Sequence, residues 1–556
     1  MSRTWRTWVP AAWSVLLALL LLGPAVAPGF VLTYDMVWVP DLAVRPDVWG
    51  LGTGLPRAVP SDGVVALLDE VLPGALLQKV VLVGALVAGG IGAGRLVPGD
   101  PADQLAARLV AVSAYQWTPF VAERLGLGAW PVLVAHGLLP WLVLLGRRWR
   151  ESGRLPRALL VLVPLGCLSA SAGVATAVVL LAAVAGPRGP TLRALSILAA
   201  SNAPWLVTGL LHSSVATTDR AGADAFALRG HGALPAPVEA LALGGTWNAE
   251  VVLPSRDGML AWLGVVLLAS LLLGARGWWA ATGRRDALAL VVPWSIGLAL
   301  ALLTWAAPGA VAAVAGSVPG GGLLRDGARS LVLCAPLVAV LAAHAASRVT
   351  ARVTDAGARG VLAAGLALVP VMLMPDAALG LAGRIDAVDY PASYAEARAA
   401  AASAPGDALV LPLTSYRQPG WNDDRKVLDP MPRWLTDDVV ASDRLVIGRT
   451  VLAGEDPRVT EADRALGAGT PQARAAELAR MGVGVVVIEH DAGDVPDVSG
   501  RVLLSSEEVT VLALESATPR SVPTWWVVAA VVAWGAFGAG PVLALVLMLT
   551  ARIRGD

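Results

Sequence analysis

Long stretches of this 556-residue chain contain no charged residue at all. Two of them run from Thr7 to Tyr34 and from Ser521 to Ala551, and each exceeds the roughly 20 residues with which a helix crosses a bilayer. Only 15% of the residues are charged, whereas soluble proteins carry about a quarter. The chain is therefore predicted to be a mainly α, polytopic helical membrane protein.

Apolar blocks that are candidates for spans lie near residues 9–33, 77–97, 104–119, 129–146, 158–187, 191–211, 258–275, 286–306, 328–346, 358–381 and 522–550. The block 158–187 decides the number of spans, because it can cross the membrane once or turn back at "SASAGVATA" (169–177) and cross it twice. If the block turns back, all the arginine-rich connections lie on one side of the membrane. Cytoplasmic loops carry an excess of basic residues, so that side is predicted to be the cytoplasm. We therefore predict about 12 spans in the plasma membrane, with both termini cytoplasmic.

With this orientation, the large segments 34–76, 212–257 and 382–521 face outward. The predicted organisation is a multi-span membrane module over residues 1–381, with the first two segments as its outer loops. An extracytoplasmic α/β domain follows over 382–521. A final transmembrane helix and a cytoplasmic tail complete the chain over 522–556.

Short elements are predicted within two of these segments. In the first loop, "PSDGVVALLDEVLPG" predicts a short helix near 61–72 that lies on the outer membrane surface. The third segment alternates helices with apolar strands, which is typical of a small α/β layer. Its predicted elements are a helix at 393–404, a strand at 407–413, a helix at 471–482, a strand at 483–490 and a hairpin at 501–515.

Several classes of site and partner are not supported by the sequence. The net charge is zero, which predicts no nucleic-acid partner. Cys167 and Cys334 both fall in apolar blocks, so they do not indicate a disulfide framework or a metal site. No P-loop, GxSxG or HExxH motif occurs. The spans also carry few ionisable residues, which disfavours an ion-coupled transporter.

The candidate catalytic residues follow the first apolar run. In "VLTYDMVWVPD", Asp35 directly abuts that run, and Asp41 is its possible substitute. A carboxylate at a membrane boundary is partly desolvated, which raises its pKa and suits it to accept a proton from a hydroxyl. The alternative interpretation is that boundary charges simply anchor helix ends.

Basic residues near other span ends are the candidate ligands for a phosphate, since arginine binds phosphate through two parallel hydrogen bonds. These donor phosphate-binding candidates are Lys79, Arg124, Arg325 and Arg329. Together with Asp35 they are the parts needed to move a sugar from a lipid-linked phosphate to an acceptor. The remaining candidates, for acceptor binding or support, are Glu123, Asp47, Trp205, Trp247 and Asn248.

On these residues the chain resembles the GT-C superfamily of polytopic glycosyltransferases. Such enzymes place a catalytic acid in the first outer loop, where Asp35 of "LTYDMVWVPD" stands, and carry surface helices there, as 61–72 does. A closer likeness is to actinobacterial arabinofuranosyl- and mannosyltransferase-like cell-envelope proteins, through "SASAGVATA" and "SNAPWLVTGLL" (201–211). The segment containing "LARMGVGVVVIEHD" is similar to extracellular α/β domains appended to such proteins.

The resemblance implies a sugar transfer on the outer face. The donor would be a polyprenyl-phosphate-linked sugar, the acceptor a cell-envelope glycan or glycolipid, and membrane lipids would be further partners. No cofactor is indicated with certainty, and a divalent metal stays open. Two other functions also stay open, namely a lipid or glycan transporter (flippase) and a non-catalytic envelope scaffold.

The predicted orientation can be tested by labelling. Single cysteines placed near residues 45 and 450 should both react with an impermeant thiol reagent in intact cells, because both positions are expected outside. Reaction only after lysis would place the acidic loop and the α/β segment in the cytoplasm and contradict the predicted topology.

Overall fold

The computed structural model describes residues 5–101, 103–214, 220–447, 450–515, 517 and 520–554. The last two residues of the predicted cytoplasmic tail therefore lie outside the described residues. Helices dominate, which confirms the predicted mainly α class. The longer helices and the short ones packed among them are Trp5–Leu22, Gly74–Leu96, Leu105–Gln116, Pro119–Gly126, Trp130–Ser152, Leu159–Leu165, Ala170–Val184, Arg188–Leu211, Met259–Leu273, Ala275–Thr282, Arg284–Ala306, Pro308–Ser317, Ala335–Thr350, Ala356–Leu373 and Thr524–Arg554.

The protein is a multi-pass membrane protein. Among the described residues, seven helices are long and apolar enough to cross a bilayer, or up to nine if each of two bent helix pairs is one span. The bent pairs are Met259–Leu273 with Ala275–Thr282 and Gly327–Leu333 with Ala335–Thr350, bent by 44° and 45°. Large apolar side chains remain exposed along these helices, as expected where the surrounding solvent is lipid.

The prediction of about 12 spans was wrong, because two apolar blocks do not form long helices. The block 104–119 forms Leu105–Gln116, whose 12 residues reach about 18 Å, well short of a hydrocarbon core of about 30 Å. The block 158–187 divides into Leu159–Leu165 and Ala170–Val184, which are shorter than a span as well. Apolar composition marked burial among other helices here, not contact with lipid.

The chain does break inside 158–187, but earlier than "SASAGVATA" predicted. The first short helix ends before Gly166, and Ser169 caps the next one by accepting a hydrogen bond from the Ala172 backbone N at 3.3 Å. Most of "SASAGVATA" is therefore the first half of a helix. The sequence signal was the N-cap serine, which was interpreted as part of a turn.

Two buried glutamines fix the positions of helices within the bundle. The side chain of Gln78 pairs with Val31 in the manner of a strand, accepting from Val31 N at 2.9 Å and donating to Val31 O at 2.7 Å. Gln116 donates to the carbonyls of Ser14 and Leu86 at 3.1 and 2.9 Å. Both amides satisfy backbone groups that have no access to water, which is the role expected of buried polar side chains.

The region before the last span holds the predicted small mixed sheet. Its strand order is Arg501–Ser505, Val509–Ala513, Val483–Glu489, Asp407–Leu411, Val439–Val440. The strand Asp407–Leu411 is parallel to both of its neighbours, and the other pairs are antiparallel. The remaining strands form short pairs at Phe30–Val31 with Ala387–Val388, Tyr416–Arg417 with Val427–Leu428, and Leu445–Ile447 with Thr450–Leu452.

Alternate residues of the central strands are buried on opposite faces of the sheet. Ala408 and Val410 join the large apolar core that continues into the helix bundle. Leu409 and Leu411 pack instead in a separate core. The α-helices of the three predicted outer segments are Ser61–Leu68, Arg220–Ala225, Ala236–Leu241, Ala392–Ala401, Met431–Trp434, Pro457–Leu466 and Pro471–Arg480. The short element Ala378–Gly383, whose middle residues are left-handed, lies where the predicted block 358–381 meets the third segment.

The three predicted outer segments pack on one another. Asp41 of the first segment accepts a hydrogen bond from Arg398 of the third at 2.6 Å. Lys426 of the third segment reaches Glu250 of the second at 2.9 Å. Because these contacts join all three segments, they lie on the same side of the bundle. The domain boundaries at 381 and 521 stay predictions, and the apolar core runs across the first of them.

The turn Thr33–Met36 is the tightest point of the first segment. Met36 N donates to Thr33 O at 2.8 Å, and Tyr34 takes a left-handed φ of 43° that side chains rarely adopt. Gly128 packs against this turn so closely that an added Cβ would meet Met36 N at 2.1 Å. A glycine is required there both for its own φ of +72° and for the space.

Gly128→Ala should lower the melting temperature of the purified protein much more than Gly153→Ala. Gly153 has nearly the same φ, +69°, but nothing lies within 4 Å of an added Cβ. Gly153→Ala should therefore cost only the roughly 1–2 kcal/mol of a left-handed alanine, whereas Gly128→Ala must also displace backbone. Thermal unfolding of both variants in the same detergent checks this. Equal losses would show that the turn does not need the close approach.

Candidate functional site

The carboxylate of Asp35 lies exposed at the tip of the Thr33–Met36 turn. Asp35 N donates to Leu127 O at 3.1 Å, which ties the turn to the connection between two helices. On its other side, Tyr34 N donates to Lys426 O at 2.7 Å, and Leu428 N donates to Tyr34 O at 2.8 Å. Two segments distant in sequence therefore fix the backbone that presents this acid.

The Asp35 side chain is held by Tyr416 from the third segment. Tyr416 Oη donates a hydrogen bond to Asp35 Oδ1. Burial, with the Asp35 carboxylate beside it, raises the pKa of Tyr416 well above its usual value, while Arg57 and Arg329 oppose the rise. The phenol therefore keeps its proton and remains a donor at neutral pH. It orients one carboxylate oxygen and leaves the other for a ligand.

Three arginines gather beside this pair, and we name Arg57, Arg325 and Arg329 the arginine cluster. Arg57 and Arg329 are close enough to Tyr416 to influence its pKa. Burial, reinforced by Arg57 and Arg329, lowers the pKa of Arg325 to about 10. The side chains of Arg57 and Arg329 are 46% and 39% exposed, so both reach solvent. Such a group suits the phosphate of a lipid-linked sugar, which gains a second negative charge when the sugar leaves.

Buried and half-buried acids hold the cluster in place. Asp326 Oδ2 lies 2.8 Å from Arg329 Nε and 3.6 Å from the fully buried Arg124. Glu455 lies 2.9 Å from Arg57 Nη2. Arg124 therefore lies beneath the cluster and is connected to it through Asp326, which contacts both Arg124 and Arg329. The structure does not place it in a position to contact a ligand directly.

An apolar surface leads up to the arginine cluster. The short helix Pro308–Ser317 and the turn after it expose Val318, Leu323 and Leu324 directly before Arg325 in the chain. Arg325 itself stacks over the Phe226 ring, its guanidinium carbon 4.4 Å from the ring centroid. A phosphate attached to a lipid chain matches this juxtaposition of apolar and cationic surface.

Three other predicted residues have contacts away from the cluster. Lys79 Nζ donates to Ala25 O at 2.8 Å, near the end of the first span. Asp41 is occupied by Arg398, as described above. Asp47 pairs with Arg45 at 2.7 Å, and Arg45 also donates to backbone carbonyls of the third segment. In the structure these residues stabilise helix ends and segment contacts, which is the anchoring alternative.

Glu123 lies buried opposite a second acid. Its Oε1 accepts from Gly245 N at 3.3 Å, and Glu239, which contacts it across Gly244, is paired with Arg256 at 3.0 Å. Burial raises the pKa of Glu123 to about 8, an effect that Arg124 opposes and Glu239 reinforces. The acid therefore holds its proton at neutral pH and supports the second segment.

The candidates for acceptor binding lie in two places. Trp205 donates to Asn202 Oδ1 at 2.7 Å, inside the packing of the helix Arg188–Leu211. Asn248 accepts from Glu250 N at 2.9 Å and also interacts with Tyr34, next to Asp35. Trp247 packs edge-on against Phe226, which carries Arg325 on another side. Asn248 and Trp247 therefore border the site, whereas Trp205 lies within the bundle.

Two important residues were missed from the sequence, Arg57 and Tyr416. Arg57 stands between prolines in "GLPRAVP", and Tyr416 follows a buried strand in "LPLTSYR". A rigid loop and a strand end are typical places for functional side chains, so both positions carried a signal. Among the described residues, no group of three or more His, Cys, Asp or Glu is arranged so that it could hold a metal ion.

Glu123→Gln should raise stability at alkaline pH. The folded protein retains the Glu123 proton up to about pH 8, while the unfolded chain releases it near pH 4.5, so wild-type stability falls as pH rises between these values. The full difference corresponds to on the order of 4 kcal/mol. Between pH 5 and pH 9, the melting temperature of Glu123→Gln should rise increasingly above that of the wild type. Glu461→Gln, at an exposed position, is the control, and parallel curves for Glu123→Gln would contradict the assignment.

No protein-family model matches the chain, and neither does any curated protein sequence. Among solved structures, the fold is similar to the cryo-EM structure of the arabinofuranosyltransferase AftD from Mycobacteria, with a TM-score of 0.55, 19% identity and 92% of this chain covered. A mutant of that protein matches with a TM-score of 0.54, 18% identity and 93% of this chain. This chain spans 40% and 42% of those chains' own lengths.

At this identity the likeness is one of fold. It nevertheless extends over nearly the whole chain, so the helix bundle and the mixed sheet before the last span belong to one shared architecture. The fold that this chain shares with an arabinofuranosyltransferase is thus that of a polytopic helical membrane protein, as predicted.

Proposed function

We propose that the protein transfers a sugar from a polyprenyl-phosphate donor to a cell-envelope glycan or glycolipid, with Asp35 as the general base. The observation that carries the proposal is the meeting of an exposed carboxylate, directly after the first span, with the arginine cluster. The fold likeness to an arabinofuranosyltransferase supports the reaction class. The apolar surface before Arg325 supports a lipid-linked donor.

In the proposed reaction the donor phosphate binds at the arginine cluster, with its lipid chain along the exposed apolar surface. Asp35 accepts the proton of the acceptor hydroxyl while that oxygen forms a bond to the anomeric carbon. The bond between the anomeric carbon and the phosphate oxygen breaks, and the electron pair leaves with the phosphate. The guanidinium groups stabilise the charge that develops there. A single displacement of this kind inverts the anomeric centre.

The hydrogen bond from Tyr416 is suited to this role. It fixes the Asp35 carboxylate in one rotamer, so that the free oxygen points consistently at the acceptor. The left-handed Tyr34 and the contact with Gly128 restrain the backbone underneath. Arg124 acts at a distance, by holding Asp326 and thereby Arg329. Lys79, in this proposal, has the structural role of capping the first span.

Asp35→Asn should abolish transfer while leaving the fold intact, because asparagine keeps the acceptor for Tyr416 but cannot take a proton. Loss of a general base costs on the order of 10²–10⁴ in rate. A strain lacking the gene can be complemented with wild type, Asp35→Asn or Asp41→Asn, and its lipid-linked sugars and envelope glycans profiled by mass spectrometry. Donor should accumulate with Asp35→Asn. Asp41→Asn should restore most transfer, since Arg398 occupies that carboxylate.

The same profile separates the other functions. A transporter would leave an intermediate on the wrong side of the membrane without donor accumulation, and a scaffold would leave the lipid-linked sugars unchanged. A wild-type profile in cells that express only Asp35→Asn at normal levels would remove Asp35 as the base.

A further inference from the structure

A cavity of about 480 Å³ lies between the second and third predicted outer segments. Its walls come from the helix Arg220–Ala225 and the stretch after it on one side, and from the hairpin Leu445–Ile447 with Thr450–Leu452 on the other. The size falls within the range of pockets that bind small ligands. The polar and aromatic residues that line the cavity are Asp224, Arg229, His231, Trp247 and Thr450.

The aromatic wall of this cavity is held firmly. Trp247 packs edge-on against Phe226, with ring centroids 4.9 Å apart. Its carbonyl is fixed as well, because His231 Nε2 lies 3.0 Å from Trp247 O. Trp247 remains half-buried, so part of the indole borders the cavity. An aromatic side chain fixed in this way presents a ready surface for a flat, weakly apolar ligand face.

The polar groups of the cavity are mixed in type and balanced in charge. The wall carries one cation and one anion, Arg229 and Asp224, and Arg229 donates to the backbone carbonyl of Asp224 at 2.9 Å. The His231 ring and the Thr450 hydroxyl add further hydrogen-bonding capacity. This set does not suit a phosphate, for which the arginine cluster is built. It suits a neutral molecule with many hydroxyl groups and an apolar C–H face, which is a sugar ring.

The cavity is connected to the proposed catalytic site through two direct contacts. The Phe226 ring packs against Trp247, and the Arg325 guanidinium stacks over the same ring. The Phe226 ring therefore lies between the cavity wall and the arginine cluster. Asn248, the next residue after Trp247, interacts with Tyr34, the neighbour of Asp35. The wall of the cavity and the proposed catalytic site are therefore neighbours in the structure.

We infer that this cavity is a subsite for a neutral oligosaccharide, with Trp247 as its stacking platform. Resting on the proposed function, the inference assigns the acceptor to the class of glycans that are several sugars long. The reacting hydroxyl would lie near Asp35, and a sugar ring farther along the acceptor would occupy the cavity. Trp247 acts here in binding and takes no part in the displacement.

Binding can be measured without any reaction. The full chain in nanodiscs is incubated on an array of neutral and anionic oligosaccharides of two to six sugars, and dissociation constants are measured for the bound ones. Wild type should bind neutral oligosaccharides. Trp247→Ala should weaken that binding at least tenfold, Trp247→Phe less, and Thr450→Trp should weaken it by filling the cavity from the opposite wall. Trp262→Ala, on the exposed face of a span, should bind as wild type does.

The outcomes distinguish the subsite from the transferase. Absence of oligosaccharide binding by wild type, or equal binding by Trp247→Ala and Thr450→Trp, would overturn the subsite. Selective binding of anionic oligosaccharides would overturn the neutral class. Asp35→Asn should bind oligosaccharides as wild type does, since it leaves the cavity untouched. Binding that depends on Trp247 together with no transfer by wild type would instead refute the proposed function and retain the subsite.

Discussion

The close approach of Gly128 to the Thr33–Met36 turn is the contact on which the proposed site depends. It brings the connection between two helices against the first residues after the opening span, and it leaves no room for a side chain. Backbone hydrogen bonds to Leu127 and to the strand Val427–Leu428 then hold the turn from both sides. Asp35 is exposed because the turn beneath it is buried and fixed.

Charge is distributed around that turn in two layers. The outer layer, the arginine cluster with Asp35, reaches solvent and can meet a ligand. The inner layer, which includes Arg124, Asp326, Glu123 and Glu239, is buried and supports the outer one through ion pairs and backbone contacts. Arg124 and Asp326 of the inner layer lie near span ends in the sequence, just as Asp35 and Arg325 of the outer layer do. Only the three-dimensional packing separates a supporting arginine from one that can bind phosphate.

This explains which predictions from the sequence succeeded. Long uncharged runs and alternating apolar strands are local patterns, and they correctly indicated the helical bundle and the mixed sheet before the last span. The number of spans was overestimated because Leu105–Gln116 and the two pieces of 158–187 are apolar through burial in protein, which composition cannot distinguish from lipid contact. Asp35 could be proposed from the sequence because it directly follows an apolar run. Tyr416 could not, because it contacts Asp35 from a segment hundreds of residues away. Arg57 could not, because its position beside Tyr416 depends on an ion pair with the equally distant Glu455.

The order in which these residues occur along the chain has a consequence for biosynthesis. Asp35 and Arg57 leave the ribosome early, Arg325 and Arg329 follow after several helices, and Tyr416 emerges only when most of the polypeptide has been made. In the proposed reaction, a nascent or truncated product that lacks Tyr416 would therefore lack the side chain that orients Asp35. The proposed site is completed late in synthesis, when only the rest of the sheet region and the final helix Thr524–Arg554 remain to be made.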